Sequence, residues 1–332
     1  MRTILNRLNN HETLSKAESK EVLVNISSGQ YNSSQIASFL TVYMMRNITI
    51  EELSGFREAL LELCVTVDFS AYNTIDLCGT GGDGKDTFNI STLASFVVAG
   101  TGIHVAKHGN YGVSSISGSS NVMENLGVKF SNEKDFLYKC MEEANIAILH
   151  APLFHPAMKN VGPIRKELGV KTFFNMLGPM VNPSFPKNQL VGVFSLELTR
   201  MYAYLYQNTK VNYTILHALD GYDEISLTAD AKIITKTSES IINADDYQLP
   251  RLSFKDIKGG ETVEKSAQIF MNIISGNGTE AQQNVVCANA ALAITTLENC
   301  TLTNAMAKAK ESLQSGKALQ KLQKLQQISR NS

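Results

Sequence analysis

The order of helical and strand patterns along the chain constrains its fold more than any other feature. Up to about residue 65 the sequence reads as amphipathic helices alone. From residue 74 short strand patterns alternate with helical ones, and from residue 262 helical patterns return. Strands that alternate with helices are typical of a mostly parallel sheet covered by helices on both faces. We therefore predict an α/β protein with a small all-helical domain, residues 1–66, beside a larger α/β domain, residues 70–332.

Local signals define the small domain. Ser15 with Glu18, and Thr49 with Glu52, have the spacing of capping boxes, so each pair predicts the start of a helix. Later in the chain a proline-rich stretch breaks the alternation of strands and helices. We expect this stretch, about residues 155–185, to return to the N-terminal helices and complete the small domain.

Charge and cysteine content argue against several functional classes. The chain has 30 Lys and Arg residues against 31 Asp and Glu residues, so a net charge of -1 gives no overall field that attracts nucleic acid or anionic membrane. No stretch approaches the roughly 18 apolar residues that a membrane span needs. The five cysteines include no CxxC pair, which argues against a disulfide framework or a zinc site. We expect a cytoplasmic protein with neither a nucleic-acid nor a membrane partner.

A glycine-rich turn, GTGGDGKDT at 79–87, follows a predicted strand at 74–78 and precedes a predicted helix at 91–99. Backbone N–H groups converge at such a turn and the helix dipole favours an anion, so the turn predicts a phosphate site. Two common phosphate motifs fit it poorly. A dinucleotide fold needs an acidic residue about 20 positions on, where this chain has His104 and Lys107. A P-loop needs a hydroxyl where this chain has Asp86.

A second polar loop leaves the next predicted strand, residues 103–106. It begins with KHGN at 107–110 and continues through a segment rich in Ser and Gly. Neighbouring parallel strands end at the same edge of a sheet, and ligands bind outside that edge. Two such loops suit a ligand with two separated phosphate groups, and Lys107 would supply positive charge at one of them.

Acidic and basic residues elsewhere in the chain complete the candidate site. Asp223 and Glu224 follow a further predicted strand, residues 213–217, at the same edge. Opposite two phosphate loops they are good ligands for Mg²⁺, which takes oxygen ligands and bridges carboxylates to substrate phosphates. Ser91 could add a hydroxyl. In the proline-rich stretch, Arg165 has the planar fork that suits a substrate carboxylate.

Six motifs together resemble those of the anthranilate phosphoribosyltransferase family in their order and spacing. They are GTGGD at 79–83, NIST at 89–92, KHGN at 107–110, SGS at 117–119, FNMLGP at 174–179 and DEIS at 223–226. The resemblance covers nearly the whole chain and implies a small helical domain beside a larger α/β domain, with the active site in the cleft. It also implies the reaction, which is Mg²⁺-dependent transfer of phosphoribose from phosphoribosyl pyrophosphate to the amine of anthranilate, with release of pyrophosphate, in tryptophan biosynthesis.

The same resemblance implies roles for individual residues. Mg²⁺ would lie on Ser91, Asp223 and Glu224. Anthranilate would contact Gly79, Asn110 and Arg165, with His108 and His155 nearby. Phosphoribosyl pyrophosphate would bind to both loops and to the helix start between them, at Gly79, Gly82, Asp83, Thr87, Asn89, Ile90, Ser91, Thr92, Lys107, His108, Gly109, Asn110, Tyr111, Gly112, Val113, Ser114, Ser115 and Ser119. No catalytic residue beyond these binding groups is implied, and the family assembles as a homodimer through its helical domain.

Two positions depart from the family pattern. Tyr111 stands where we expect Arg after the KHGN motif, and Asn121 stands where we expect an acidic residue. Both changes remove formal charge near the phosphate loops, while Lys107 remains. Two other functions stay open at this point: a pyrimidine nucleoside phosphorylase, which has a similar architecture, and a non-catalytic paralogue that binds a phosphosugar.

Overall fold

Four helices form the N-terminal part of the computed structural model, which describes residues 1–112 and 117–331. They are α1 (Arg2–Asn9), α2 (Lys16–Ser27), α3 (Ser33–Met45) and α4 (Ile50–Leu63). The two predicted capping boxes are confirmed, because Ser15 caps α2 with Glu18 and Thr49 caps α4 with Glu52. A third capping box, between Asn32 and Gln35 at the start of α3, was not predicted.

Glu52 also joins α4 to α3 and to the segment before α2. Its side chain is fully buried and accepts hydrogen bonds from the backbone N–H of Leu14 and the hydroxyl of Tyr43, both at 3.0 Å. It also forms an ion pair with Arg46. Burial by itself would raise the pKa of Glu52, but the bonds from Arg46, Leu14 and Thr49 outweigh it and hold the pKa below its usual range.

A seven-stranded sheet forms the centre of the larger part of the described chain. Its strands are β1 (Ile75–Gly79), β2 (Val105–Gly109), β3 (Ile146–His150), β4 (Asn188–Gly192), β5 (Asn212–Ala218), β6 (Ala231–Thr235) and β7 (Glu239–Ile242). They lie in the order β3-β2-β1-β4-β5-β6-β7, and the first five are parallel. The predicted mostly parallel sheet is therefore confirmed. The hairpin of β6 and β7 adds two antiparallel strands that were not predicted.

The boundaries of β2 differ from the prediction. We expected a strand at 103–106 followed by a loop, but β2 runs to Gly109 and pairs residue by residue with β3. Lys107 and His108 therefore lie inside the sheet. They are tolerated there because each buried side chain has a carbonyl partner: Leu77 in β1 for Lys107, and Gly178 for the ring of His108.

Further helices follow along the described chain, and most of them pack on the two faces of the sheet. They are α5 (Ile90–Gly100), α6 (Ser119–Asn125), α7 (Lys134–Lys139, continued by a π-helical turn at Cys140–Ala144), α8 (Ala151–Phe154), α9 (Gly162–Leu168), α10 (Phe174–Leu177), α11 (Leu196–Tyr206), α12 (Val263–Ile274), α13 (Glu280–Leu297), α14 (Leu302–Gln314) and α15 (Lys317–Arg330). Helix α5 is apolar on all sides because it is buried between β1 and the helices α13 and α15. Within the described residues, no helix is both long enough and apolar enough to cross a membrane.

The proline-rich stretch packs into the core of the N-terminal helices. The ring of Phe173 stacks on that of Phe56 at a centroid distance of 4.4 Å and meets the edges of Phe39 and Tyr43. The side chain of Asn160 donates to the carbonyl of Ser27 at 2.9 Å. On this packing we propose that the stretch at about 155–185 completes the helical domain 1–66, beside the α/β domain 70–332.

Replacing Glu52 by Gln should destabilise the protein strongly. The variant keeps the volume of the side chain but leaves the partly buried Arg46 guanidinium without its counter-charge, so we expect a loss of about 2 kcal/mol in the free energy of unfolding. Urea unfolding measures this quantity. Glu51→Gln is the matched control, since Glu51 lies exposed in the same helical turn and should change the value by less than about 0.5 kcal/mol. Equal effects of the two substitutions would contradict the role of Glu52.

Candidate active site

A cavity of about 260 Å³ opens where strands β1 and β2 end. The two strands are parallel neighbours, so the glycine-rich turn after β1 and the polar loop after β2 leave the same edge of the sheet. The chain adds β2 and β3 on one side of β1, and β4 on the other. In open α/β sheets, ligands bind at such a reversal of strand order.

The glycine-rich turn takes its shape from backbone angles that favour glycine. Gly81, Gly82 and Gly84 have φ angles of +62°, +71° and +75°. The carboxylate of Asp83 accepts a hydrogen bond from the N–H of Lys85 at 3.0 Å, which closes the turn. The carbonyl of Gly82 accepts a hydrogen bond from the ammonium of Lys171, a residue that the sequence analysis did not single out.

Helix α5 begins at the cavity. Its N-cap is Asn89, whose side chain donates to the carbonyl of Ser117 at 3.2 Å and so joins the two loops. The N–H of Ser91 donates to the carboxylate of Glu224 at 2.9 Å, so a protein carboxylate occupies part of the positive end of this helix. Ser91 and Thr92 line the cavity, whereas Ile90 is buried behind it.

The end of β2 places two buried polar side chains in the cavity wall. Lys107 is 2% exposed, and its ammonium donates to the carbonyl of Leu77 at 2.6 Å. The backbone N–H of His108 donates to the carboxylate of Asp76 at 3.1 Å. Asp76 is fully buried, which raises its pKa to about 6 although Lys107 lowers it. Asp76 thus holds in place the strand β2, which carries both residues. In the sequence, Asp76 is distinguished only as an acidic residue within an apolar strand pattern.

Two histidines meet at the back of the cavity. The Nδ1 atom of His108 lies 3.0 Å from the carbonyl of Gly178, which can only accept, so Nδ1 carries the proton. Burial, and then the nearby His155, lower the pKa of His108 to about 3, so its ring is neutral. Its Nε2 is buried with no hydrogen-bond partner among the described residues. The ring of His155 lies 5.3 Å from that of His108 but does not line the cavity.

The two departures from the expected pattern lie close together, Tyr111 in the second loop and Asn121 in the first turn of α6. The side-chain oxygen of Asn121 accepts from the N–H of Gly112 at 2.9 Å and from that of Gly118 at 3.0 Å. The hydroxyl of Tyr111 donates to Glu124 at 3.3 Å. Asn121 therefore organises the loop through uncharged contacts. The predicted site residues Val113, Ser114 and Ser115 lie outside the described residues.

Three carboxylates come together beside the glycine-rich turn. The N–H of Gly81 donates to Asp223 at 2.7 Å, and burial together with the neighbouring Asp83 raises the pKa of Asp223 to about 7. Burial and the charge of Asp223 also raise the pKa of Glu224. Such mutual repulsion is relieved by a divalent cation.

These carboxylates suit a hard cation that shares its ligands with a substrate. Within the described residues, no group of three or more His, Cys, Asp or Glu side chains is arranged to hold a metal ion. A cation at Asp223 and Glu224 would therefore need further oxygen ligands. Mg²⁺ fits this description, because it commonly binds one or two carboxylates together with substrate phosphates and water.

Arg165 of α9 brings a positive charge without a carboxylate partner to the lining of the cavity. Its guanidinium donates to the side-chain oxygen of Asn175 at 3.2 Å and lies 5.3 Å from the ring centroid of Phe174. Among the described residues no carboxylate pairs with it, and burial lowers its pKa to about 10. A buried guanidinium with this environment is suited to bind the carboxylate of a small molecule.

Most of the predicted site residues surround this one cavity. The predicted residues that line it are Gly79, Gly82, Asp83, Thr87, Asn89, Ser91, Thr92, Lys107, His108, Gly109, Asn110, Tyr111, Gly112, Ser119, Arg165, Asp223 and Glu224. Ile90 and His155 lie beside it without lining it. Lining residues to which the sequence analysis gave no role include Lys85, Phe88 and Ala151.

The chain matches two family descriptions that together cover most of its length. Residues 2–64 match the helical bundle domain of a glycosyl transferase family, and residues 71–319 match the a/b domain of a glycosyl transferase family. Among curated proteins, the anthranilate phosphoribosyltransferase of Flavobacterium johnsoniae is 73% identical over 99% of this chain and 100% of its own length. That of Christiangramia forsetii is 68% identical over 100% of both chains.

Solved structures with the same fold carry the same name. The anthranilate phosphoribosyltransferase of Thermus thermophilus superposes with a TM-score of 0.90 at 30% identity, over 98% of this chain and 99% of that one. The enzyme of Saccharomyces cerevisiae in complex with PRPP and Mg superposes with a TM-score of 0.91 at 25% identity, over 99% of this chain and 97% of that one.

Proposed function

This chain belongs to the glycosyl transferase family of the anthranilate phosphoribosyltransferases, and from that premise we propose that it transfers phosphoribose from phosphoribosyl pyrophosphate to the amine of anthranilate, releasing pyrophosphate. The step serves tryptophan biosynthesis. One observation supports the proposal independently of the family: the loops after β1 and β2 open into one cavity, which is also lined by the acidic pair Asp223 and Glu224 and by Arg165. This cavity suits a doubly phosphorylated sugar and a small carboxylate together.

Each substrate has its own set of contacts in this proposal. The ribose phosphate and the diphosphate lie against the two loops and the start of α5, where Gly82, Asn89, Ser91 and Lys107 face the cavity. Asp223, Glu224 and Ser91 would hold Mg²⁺, which would supply positive charge to the departing diphosphate. Anthranilate enters from the side of α9, and Arg165 binds its carboxylate.

The residues act mainly by positioning the two substrates. The anthranilate nitrogen attacks C1 of the ribose with inversion, the C1–N bond forms, the C1–O bond to the diphosphate breaks, and one proton leaves the nitrogen. This amine becomes acidic only as the C1–N bond forms, so no strong base is required beforehand. Backbone N–H groups of the glycine-rich turn stabilise the leaving group.

We also propose a homodimer formed through the helical domain, in the cytoplasm. Met44 and Met45, at the end of α3, are 43% and 84% exposed, as expected of residues that a second subunit covers. The five cysteines are free thiols, which suits a reducing compartment.

The fluorescence of anthranilate provides the direct test of the function. We expect the purified protein to consume this fluorescence only when phosphoribosyl pyrophosphate and Mg²⁺ are both present. Omitting either one is the internal control. Phosphorolysis of uridine or thymidine instead would assign the protein to the pyrimidine nucleoside phosphorylases. Binding of phosphoribosyl pyrophosphate without consumption of anthranilate would indicate a non-catalytic paralogue.

Replacing Arg165 by Ala should separate the two substrates kinetically. Because a charge-assisted hydrogen bond contributes about 1.5–3 kcal/mol, we expect the KM for anthranilate to rise about 10- to 100-fold. The KM for phosphoribosyl pyrophosphate should change much less. Lys166→Ala is the matched control, because Lys166 is the exposed neighbour on the same helix. Equal increases in both KM values would refute this role of Arg165.

Neutralising the acidic pair should change the dependence of the activity on Mg²⁺. In the double variant Asp223→Asn and Glu224→Gln, amide oxygens can still accept from Gly81 and Ser91 while both charges are lost. We expect activity to fall by about tenfold or more at low Mg²⁺ and to recover partly at high Mg²⁺. Asp135→Asn, at an exposed position of α7, controls for the charge change. If the dependence of the activity on Mg²⁺ were unchanged, neither residue would belong to the metal site.

A further inference from the structure

Lys85 differs from the other cations that line the cavity. The ammonium of Lys107 is bonded to the carbonyl of Leu77, and the guanidinium of Arg165 to Asn175. The Lys85 ammonium has neither a hydrogen bond nor an ion pair with any described residue. Its ammonium contacts only the face of the Tyr222 ring among the described residues, so it can still bind an anion.

The position of Lys85 is fixed at both ends of its side chain. Its backbone N–H is bonded to Asp83 within the glycine-rich turn. The stem lies across Gly221, where an added Cβ would be 3.5 Å from the Lys85 Cε atom. Its ammonium lies 4.8 Å from the ring centroid of Tyr222. Lys85 therefore links the glycine-rich turn to the segment that carries Asp223 and the proposed metal site.

The charges around the cavity indicate what the ammonium of Lys85 binds. Asp83, Asp223 and Glu224 already place three carboxylates on this side of the cavity, and the diphosphate would add more negative charge there. Tyr111 in the second loop is uncharged. The ammonium of Lys107, near the end of β2, is bonded to the backbone carbonyl of Leu77. An ammonium ion bonds a phosphate oxygen more strongly than it binds the face of an aromatic ring. The charge would therefore move from Tyr222 to a diphosphate when one is present.

We propose that Lys85 binds the diphosphate group of phosphoribosyl pyrophosphate and stabilises it as it leaves, with the Tyr222 ring holding the ammonium in place between turnovers. This inference rests on the proposed function and adds to it a binding residue on the metal side of the cavity. The negative charge on the diphosphate grows as the C1–O bond breaks. Lys85 therefore acts on diphosphate binding and on the transfer step, and leaves anthranilate binding unchanged.

Calorimetric binding of inorganic pyrophosphate in the presence of Mg²⁺ tests the proposal directly. Lys85→Met keeps the stem over Gly221 and removes the charge, so its pyrophosphate Kd should rise about tenfold, which corresponds to about 1.4 kcal/mol. Lys85→Arg should stay near the wild-type value. Lys236→Met makes the same charge change at an exposed site in the β6–β7 hairpin and should have no effect.

Steady-state kinetics give a second readout that a merely structural role would not produce. For Lys85→Met we expect kcat/KM for phosphoribosyl pyrophosphate to fall about tenfold, with the KM for anthranilate within about twofold of wild type. Unchanged pyrophosphate binding in Lys85→Met, or equal losses for both substrates, would overturn the proposal. If the wild type binds pyrophosphate but does not consume anthranilate, the proposed function fails, while the comparison of Kd values still decides the role of Lys85.

Discussion

The close approach of Asp223 to two strands is the contact on which the site depends. Gly79 and Gly192 face each other in the pairing of β1 with β4. A Cβ atom on Gly79 would lie 2.3 Å from the carboxylate of Asp223, and one on Gly192 would lie 1.5 Å from its carbonyl oxygen. Any side chain at either position would displace the acidic pair. Because both positions are glycine, the loop after β5 can reach the glycine-rich turn at the point where the strand order reverses.

This packing determines the electrostatics of the cavity. Asp223 and Glu224 accept the N–H groups of Gly81 and Ser91, which would otherwise face a phosphate. A phosphate that arrived alone would meet these two carboxylates and Asp83, and like charges would oppose it. A phosphate that arrives with a divalent cation meets no such barrier, because the cation neutralises both sets of oxygens. Under the proposed function, the arrangement therefore favours entry of phosphoribosyl pyrophosphate together with its metal ion.

The sequence predicted those parts of the structure that depend on local signals. Capping boxes such as that of Thr49 and Glu52 operate within four residues, and the alternation of strands and helices predicted the mostly parallel sheet. The extent of β2 could not be predicted, because the polar Lys107 and His108 are compatible with a strand only through partners elsewhere in the chain. The strand β7 was missed for a related reason. It lies at the edge of the sheet with mostly exposed residues, so it lacks a clear apolar pattern.

The two neutral residues Tyr111 and Asn121 compensate each other in charge. The resemblance led us to expect a base at the position of Tyr111 and an acid at that of Asn121, so the two neutral residues together leave the expected net charge unchanged. The amide oxygen of Asn121 accepts the two N–H groups of Gly112 and Gly118, as a carboxylate oxygen would. The second loop thus lacks the cation that we expected beside a phosphate, and the ammonium of Lys107 is bonded to a backbone carbonyl. In our proposal the glycine-rich turn supplies this positive charge instead, through the ammonium of Lys85, which lies over the ring of Tyr222.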